Sequence, residues 1–139
     1  MCNHRYRDYE SLRKDKDKQY CSFKELINNL PIDKDGLCIF HSPDIEWKSK
    51  QDFVQWLMVL KNTSIENKME IKFQDFHFIA ENGKEGIGYL ELLSEVKISN
   101  CYFHQKINAE NICITGNLDF INCTFLSVID FSDCHFKGN

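Results

Sequence analysis

The sequence predicts a mainly β chain, a four-sided solenoid of very short strands preceded by a small Cys/His module and an amphipathic helix. Three observations carry this. Apolar–polar–apolar triplets recur with an eleven-residue period through the second half, cysteine and histidine stand at ligand-like spacing in the first half, and the stretch between them has helical periodicity. At 139 residues the chain suits one domain or two small ones.

Residues 1–48 read as a zinc module. Cys38 and His41 in GLCIFHS have Cys-x-x-His spacing, which lets two ligands turn onto one tetrahedral ion; a structural Zn²⁺ site takes four thiolates or imidazoles. Cys21 and Cys2 complete the set, with His4 as the alternative to Cys2. Gly36 precedes the pair as in a knuckle, and the charged sequence from Arg5 to Lys24 offers little else to order it. The expected ligands are therefore Cys2, Cys21, Cys38 and His41, holding Zn²⁺ in a structural role. A Cys/His nucleophilic pair needs an oriented base and an oxyanion site, and no pattern for either is present.

Residues 49–63, SKQDFVQWLMVLKNT, read as a helix. Phe53, Trp56, Leu57 and Leu60 follow the i, i+3, i+4, i+7 rule, and Ser49 is the expected N-cap. Such a helix is placed to cover the first coil of the repeat, whose apolar cross-section is otherwise open.

Residues 64–139 hold the repeat, with an insertion near 79–89. Triplets such as Val96-Lys97-Ile98, Cys101-Tyr102-Phe103, Leu118-Asp119-Phe120, Cys123-Thr124-Phe125 and Cys134-His135-Phe136 belong to a series whose members begin alternately five and six residues apart. An amphipathic helix or an ordinary meander does not produce that spacing. A solenoid does, with the outer members of each triplet pointing inward and polar linkers at the corners. Two elevens give a 22-residue coil, which stacks Cys101 near Cys123, Ile98 near Phe120 and Ile114 near Phe136.

The triplets in ISNCYF, FINCTF and FSDCHF resemble the Phe-rich, eleven-residue variant of the pentapeptide-repeat family. That resemblance implies a right-handed quadrilateral β-helix. YCSF…GLCIFHSPD resembles the small Cys/His module that precedes some prokaryotic pentapeptide-repeat arrays, in which three cysteines and one histidine hold zinc. Under the repeat, Cys101, Cys123 and Cys134 are compact inward residues and Cys113 is exposed. His77, His104 and His135 follow no ligand spacing and read as solvated. Seven cysteines without a secretion signal argue against a disulfide framework.

A net charge of −4 supplies no global basic field for nucleic acid or an anionic membrane. The polar start and the absence of any run of about 18 apolar residues predict a cytoplasmic protein without membrane association. No GxxxxGK[ST], GxGxxG, GxSxG or HExxH occurs, so the expected function is non-enzymatic: a scaffold presenting a regular surface to a protein partner. One alternative is a DNA mimic that regulates a DNA-handling enzyme, with Asp119, Asp130 and Asp133 set against Lys137. Another is nucleic-acid binding through the zinc module, where Arg5, Arg7, Arg13, Lys14, Lys16, Lys18 and Lys24 outnumber Asp8, Glu10, Asp15 and Asp17. The open last cross-section implies either a longer array of which this chain is a fragment or, if the chain is the full protein, a homodimer through the C-terminal coil with Phe131 and Phe136 near the interface.

Overall fold

The computed structural model describes residues 2–6, 21–70, 72–80, 87–109 and 112–138. The described residues of the N-terminal half form helices and loops. After Cys21 comes helix α1 (Phe23–Leu26), then a loop closed by an isolated antiparallel bridge between Ile32 and Cys38. Helix α2 (Ile45–Ser49) starts where the Asp44 carboxylate accepts the Trp47 N–H at 3.0 Å, satisfying one otherwise unpaired helix-end donor. Helix α3 (Phe53–Glu66) buries Phe53, Leu57, Leu60 and Ser64 on one face, while Trp56 is half-buried. Ser49, the expected N-cap, instead ends α2, and Asp52 in a left-handed conformation (φ 53°) stands at the start of α3.

Among the described residues ten strands follow: β1 (Lys72–Gln74), β2 (His77–Phe78), β3 (Lys97–Ser99), β4 (Tyr102–Phe103), β5 (Ile107–Asn108), β6 (Cys113–Ile114), β7 (Asp119–Ile121), β8 (Thr124–Phe125), β9 (Ile129–Asp130) and β10 (His135–Phe136). A 3-10 helix (Leu90–Leu93) lies between β2 and β3. All pairings among these strands are parallel, in the orders β1-β3-β7, β2-β4-β8, β5-β9 and β6-β10.

This topology corrects the expected fold class. In place of a mainly β, right-handed quadrilateral β-helix, the described residues form four small parallel sheets of three, three, two and two strands beside three α-helices and a 3-10 helix. The physical reason is length: one triplet between corners supports only two or three paired residues, and the longest regular element is the 14-residue α3. The pairwise register follows the eleven-residue pattern all the same. Ile98 pairs with Phe120 and Ile114 with Phe136, and Thr124 N–H donates to Cys101 O at 2.8 Å, which brings Cys123 beside Cys101. The insertion predicted at 79–89 falls partly outside the described residues; at its edges Ile79, Ile87 and Tyr89 are buried.

The corners after β1, β3 and β7 share one backbone device. Asp75, Asn100 and Asn122 all have positive φ (60°, 54° and 52°), a region that Asn and Asp enter more readily than other side chains. The core is aromatic. Phe78, Phe103 and Phe125 form a ladder with centroids 4.6 and 4.9 Å apart, and Phe40 stacks on Phe76 at 5.0 Å. Burial thins along the chain, so Phe103 is fully covered, Phe120 and Phe125 are half-covered, and Phe136 is 51% exposed.

One buried charge ties the two halves together. Lys48, 0% exposed, donates from Nζ to Phe40 O at 3.2 Å and His77 O at 2.6 Å, and lies 4.9 Å from the Phe53 ring centroid. Burial pushes its pKa down to about 7. Replacing it with methionine removes the Nζ donor from the His77 carbonyl and one of the two donors from Phe40 O, which keeps the His77 N–H, and is expected to cost about 1–3 kcal/mol. The unfolded lysine keeps its proton to about pH 10.4, while the folded one releases it near pH 7, so the unfolded state binds more protons in between. Wild-type stability therefore gains on the variant as pH rises from 7 to 9, which urea denaturation at the two pH values checks. A gap that stays constant or shrinks over that range contradicts the assignment.

Candidate metal centre

Three separate segments converge on one point. The N-terminal residues pair with the rest of the chain through Asn3 N–H to Gly36 O (2.7 Å) and Cys21 N–H to His4 O (3.1 Å), which brings Cys2 and Cys21 to the 33–38 loop. That loop is built by Asp33, whose Oδ1 accepts the N–H groups of Asp35 and Leu37, both at 2.9 Å. Gly36 has φ +79°, and a Cβ there would fall 2.0 Å from the Asn3 amide nitrogen. A side chain would therefore push the N-terminal segment, and Cys2 with it, away. Past the loop, His41 N–H and Ser42 N–H both turn back to Cys38 O (3.1 and 2.9 Å), a tight turn that aims Cys38 and His41 the same way.

The ligand atoms of Cys2, Cys21, Cys38 and His41 all lie within 4.8 Å of one another. Cys21 Sγ is 3.9 Å from Cys38 Sγ, and His41 Nδ1 is 3.3 Å from Cys38 Sγ and 3.9 Å from Cys2 Sγ. A tetrahedral ion with metal–sulfur bonds near 2.3 Å sets its sulfurs about 3.8 Å apart, so the four donors, all within 4.8 Å of one another, close onto an ion by shifts of about an ångström or less. His41 Nε2 lies 3.0 Å from the carbonyl of Gln74. A carbonyl only accepts, so Nε2 carries the proton and the Nδ1 lone pair faces the sulfurs, the arrangement that an outer hydrogen bond imposes on a ligating histidine. Cys38 N–H donates to Cys2 Sγ at 3.1 Å.

Electrostatics agree with a cation. Hydrogen bonds from Cys21 and Cys38 hold the Cys2 thiol far below the usual thiol range, whereas burial pushes Cys38 up to about 12. Cys21 is raised by its hydrogen bonds to Cys2 and Cys38 and by burial. Burial lowers His41, keeping the imidazole neutral and able to ligate. Three buried thiols without a cation can share little negative charge; a divalent ion takes all three as thiolates.

The four expected ligands are the four that converge. His4, the alternative to Cys2, stacks on His41 (3.9 Å between centroids, 11°) and pairs through Nε2 with Asp75 Oδ2 at 2.9 Å, covering the cluster from outside. Tyr6 meets His41 edge-on at 5.4 Å. No spacing rule in the sequence marks His4, Tyr6 or Gln74 as part of this surround, because each arrives through contacts distant in the chain. Most basic residues of the nucleic-acid reading (Arg7, Arg13, Lys14, Lys16 and Lys18) lie outside the described residues. Of the histidines read as solvated, His135 is exposed, whereas His77 and His104 are partly buried and bonded to each other at 2.8 Å.

Among the described residues, no helix is long and apolar enough to cross a membrane. Compared with known proteins, the chain matches no family model, no curated protein and no solved structure.

Proposed function

We propose that the protein is a non-enzymatic interaction module: a structural Zn²⁺ on Cys2, Cys21, Cys38 and His41 fastens the N-terminal segments to β1, and the far end of the sheets docks a second copy of this chain. The cluster supports a structural role because all four ligands are buried, none more than 2% exposed, so a metal there has no open position for substrate. Zinc is the ion favoured by three thiolates and one imidazole at these distances.

The observation that carries the docking function is the apolar end. Leu118, Phe120, Phe125, Ile129, Phe131 and Phe136 line a depression of about 440 Å³, and Val128 and Leu126 beside it are 65% and 57% exposed. Clustered exposure of that kind marks an interaction site. β7, β8, β9 and β10 are each the last strand of their sheet, and each presents one edge with no strand paired to it among the described residues. An occupant must offer an apolar face of the same outline with strand edges to match, and a second copy turned about a twofold axis does so. Sedimentation at micromolar concentration is expected to give a dimer, and Phe131→Asp with Phe136→Asp a folded monomer. A wild-type protein that stays monomeric and does not aggregate would overturn the docking reading.

A further inference from the structure

Outside the cysteine cluster, β2 and β4 bring two more imidazoles together. Phe78 pairs with Phe103, so His77, just before Phe78, and His104, just after Phe103, rise from the same edge. His77 Nδ1 lies 2.8 Å from His104 Nε2. At that distance one nitrogen donates and the other accepts, and a single proton holds the pair. The two rings lie 21° from parallel, and Tyr102 stacks on His77 at 4.7 Å and 8°, which holds the ring in plane.

Burial lowers both histidines, His77 to about 3, with the nearby Lys48 charge acting in the same direction. Both rings are neutral at pH 7, and neutral imidazole is the form that binds metal. Lys48 itself approaches His77 only through the backbone carbonyl. Two imidazole nitrogens 2.0–2.1 Å from a tetrahedral ion stand about 3.3 Å apart, so the observed separation needs to open by only about half an ångström. His77 also lines a polar groove of about 760 Å³ with Asp75, Asn100, Tyr102 and Asn122, together with His4 and His41, wide enough for a hydrated ion.

We propose that His77 and His104 form a second metal site, an exchangeable one, that takes a divalent transition ion favouring imidazole and leaves its remaining positions to water in the groove. It differs from the cysteine cluster in donor set: two nitrogens, against three sulfurs and one nitrogen.

The test is calorimetric titration of Ni²⁺ into the full chain after saturation with zinc and removal of the excess, which leaves the cysteine cluster unavailable. One further ion is expected to bind. His77→Ala and His104→Ala should each weaken that binding at least tenfold, while His135→Ala and Cys113→Ser, which alter an exposed imidazole and an exposed thiol elsewhere, change it less than twofold. Far-UV circular dichroism confirms that each variant is folded, and His104→Gln serves as the second variant if His77→Ala is not. No Ni²⁺ uptake, or uptake that survives both histidine changes, would show that the pair is only a hydrogen-bonded ladder and overturn the proposal.

Discussion

Cys38→Ser is expected to abolish metal binding and to unfold the N-terminal half, the largest single-residue effect in the molecule. Cys38 is the hub of the cluster. Its sulfur lies within 3.9 Å of both Cys21 Sγ and His41 Nδ1, its N–H donates to Cys2 Sγ, and its carbonyl receives the turn that orients His41. Metal binding supplies roughly 10–16 kcal/mol of apparent folding free energy in small thiolate sites, and it acts here alongside the burial of Ile27, Leu30, Ile39 and Phe40. The loss does not stop at that segment. His41 bonds Gln74 O next to β1, His4 pairs with Asp75, and Phe40 stacks on Phe76, so β1 and β2 lose their cover as well. Amide hydrogen exchange is the measurement: protection should vanish over residues 21–48 and fall over 72–78. Unchanged protection in a metal-free Cys38→Ser protein would show that the cluster contributes nothing to the fold.

Phe103→Ala is expected to cost about 3–5 kcal/mol. Its ring is fully buried between Phe78 and Phe125 and meets Phe120 edge-on at 5.6 Å, so truncation opens a cavity in the middle of the aromatic ladder. Its neighbour Tyr102 points the other way and is 40% exposed, and Tyr102→Ala should cost under about 1 kcal/mol. Guanidinium denaturation of the two variants separates them. Equal losses would mean that the inward and outward sides of β4 are misassigned.

How far the sequence reaches differs from part to part. The ligand set is readable because Cys-x-x-His is local and only five cysteines and histidines stand in the first 41 residues, Cys2, His4, Cys21, Cys38 and His41; the structure brings four of them together. The pairing register is readable because the eleven-residue period is regular, and Ile98 meets Phe120 as the spacing requires. The fold class is not. Triplet spacing says which residues align but not how long the paired segments become, and strands of two or three residues yield four small sheets beside a helical half. Lys48 reads as an ordinary surface lysine of a short helix, and only the carbonyls of Phe40 and His77, brought in from other segments, make its burial tolerable. The corners carried a signal that triplet counting passes over: Asn100 and Asn122 each stand directly before a repeat cysteine, as Asp133 does before Cys134, and all three adopt positive φ.

The central claim is that Cys2, Cys21, Cys38 and His41 hold one structural metal ion. Elemental analysis of the full chain, purified without chelator and set against its measured protein concentration, tests it most directly. One zinc per chain, lost in Cys38→Ser and retained in His4→Ala, is the predicted result. A folded protein with no bound metal, or one whose metal survives Cys38→Ser, would contradict it.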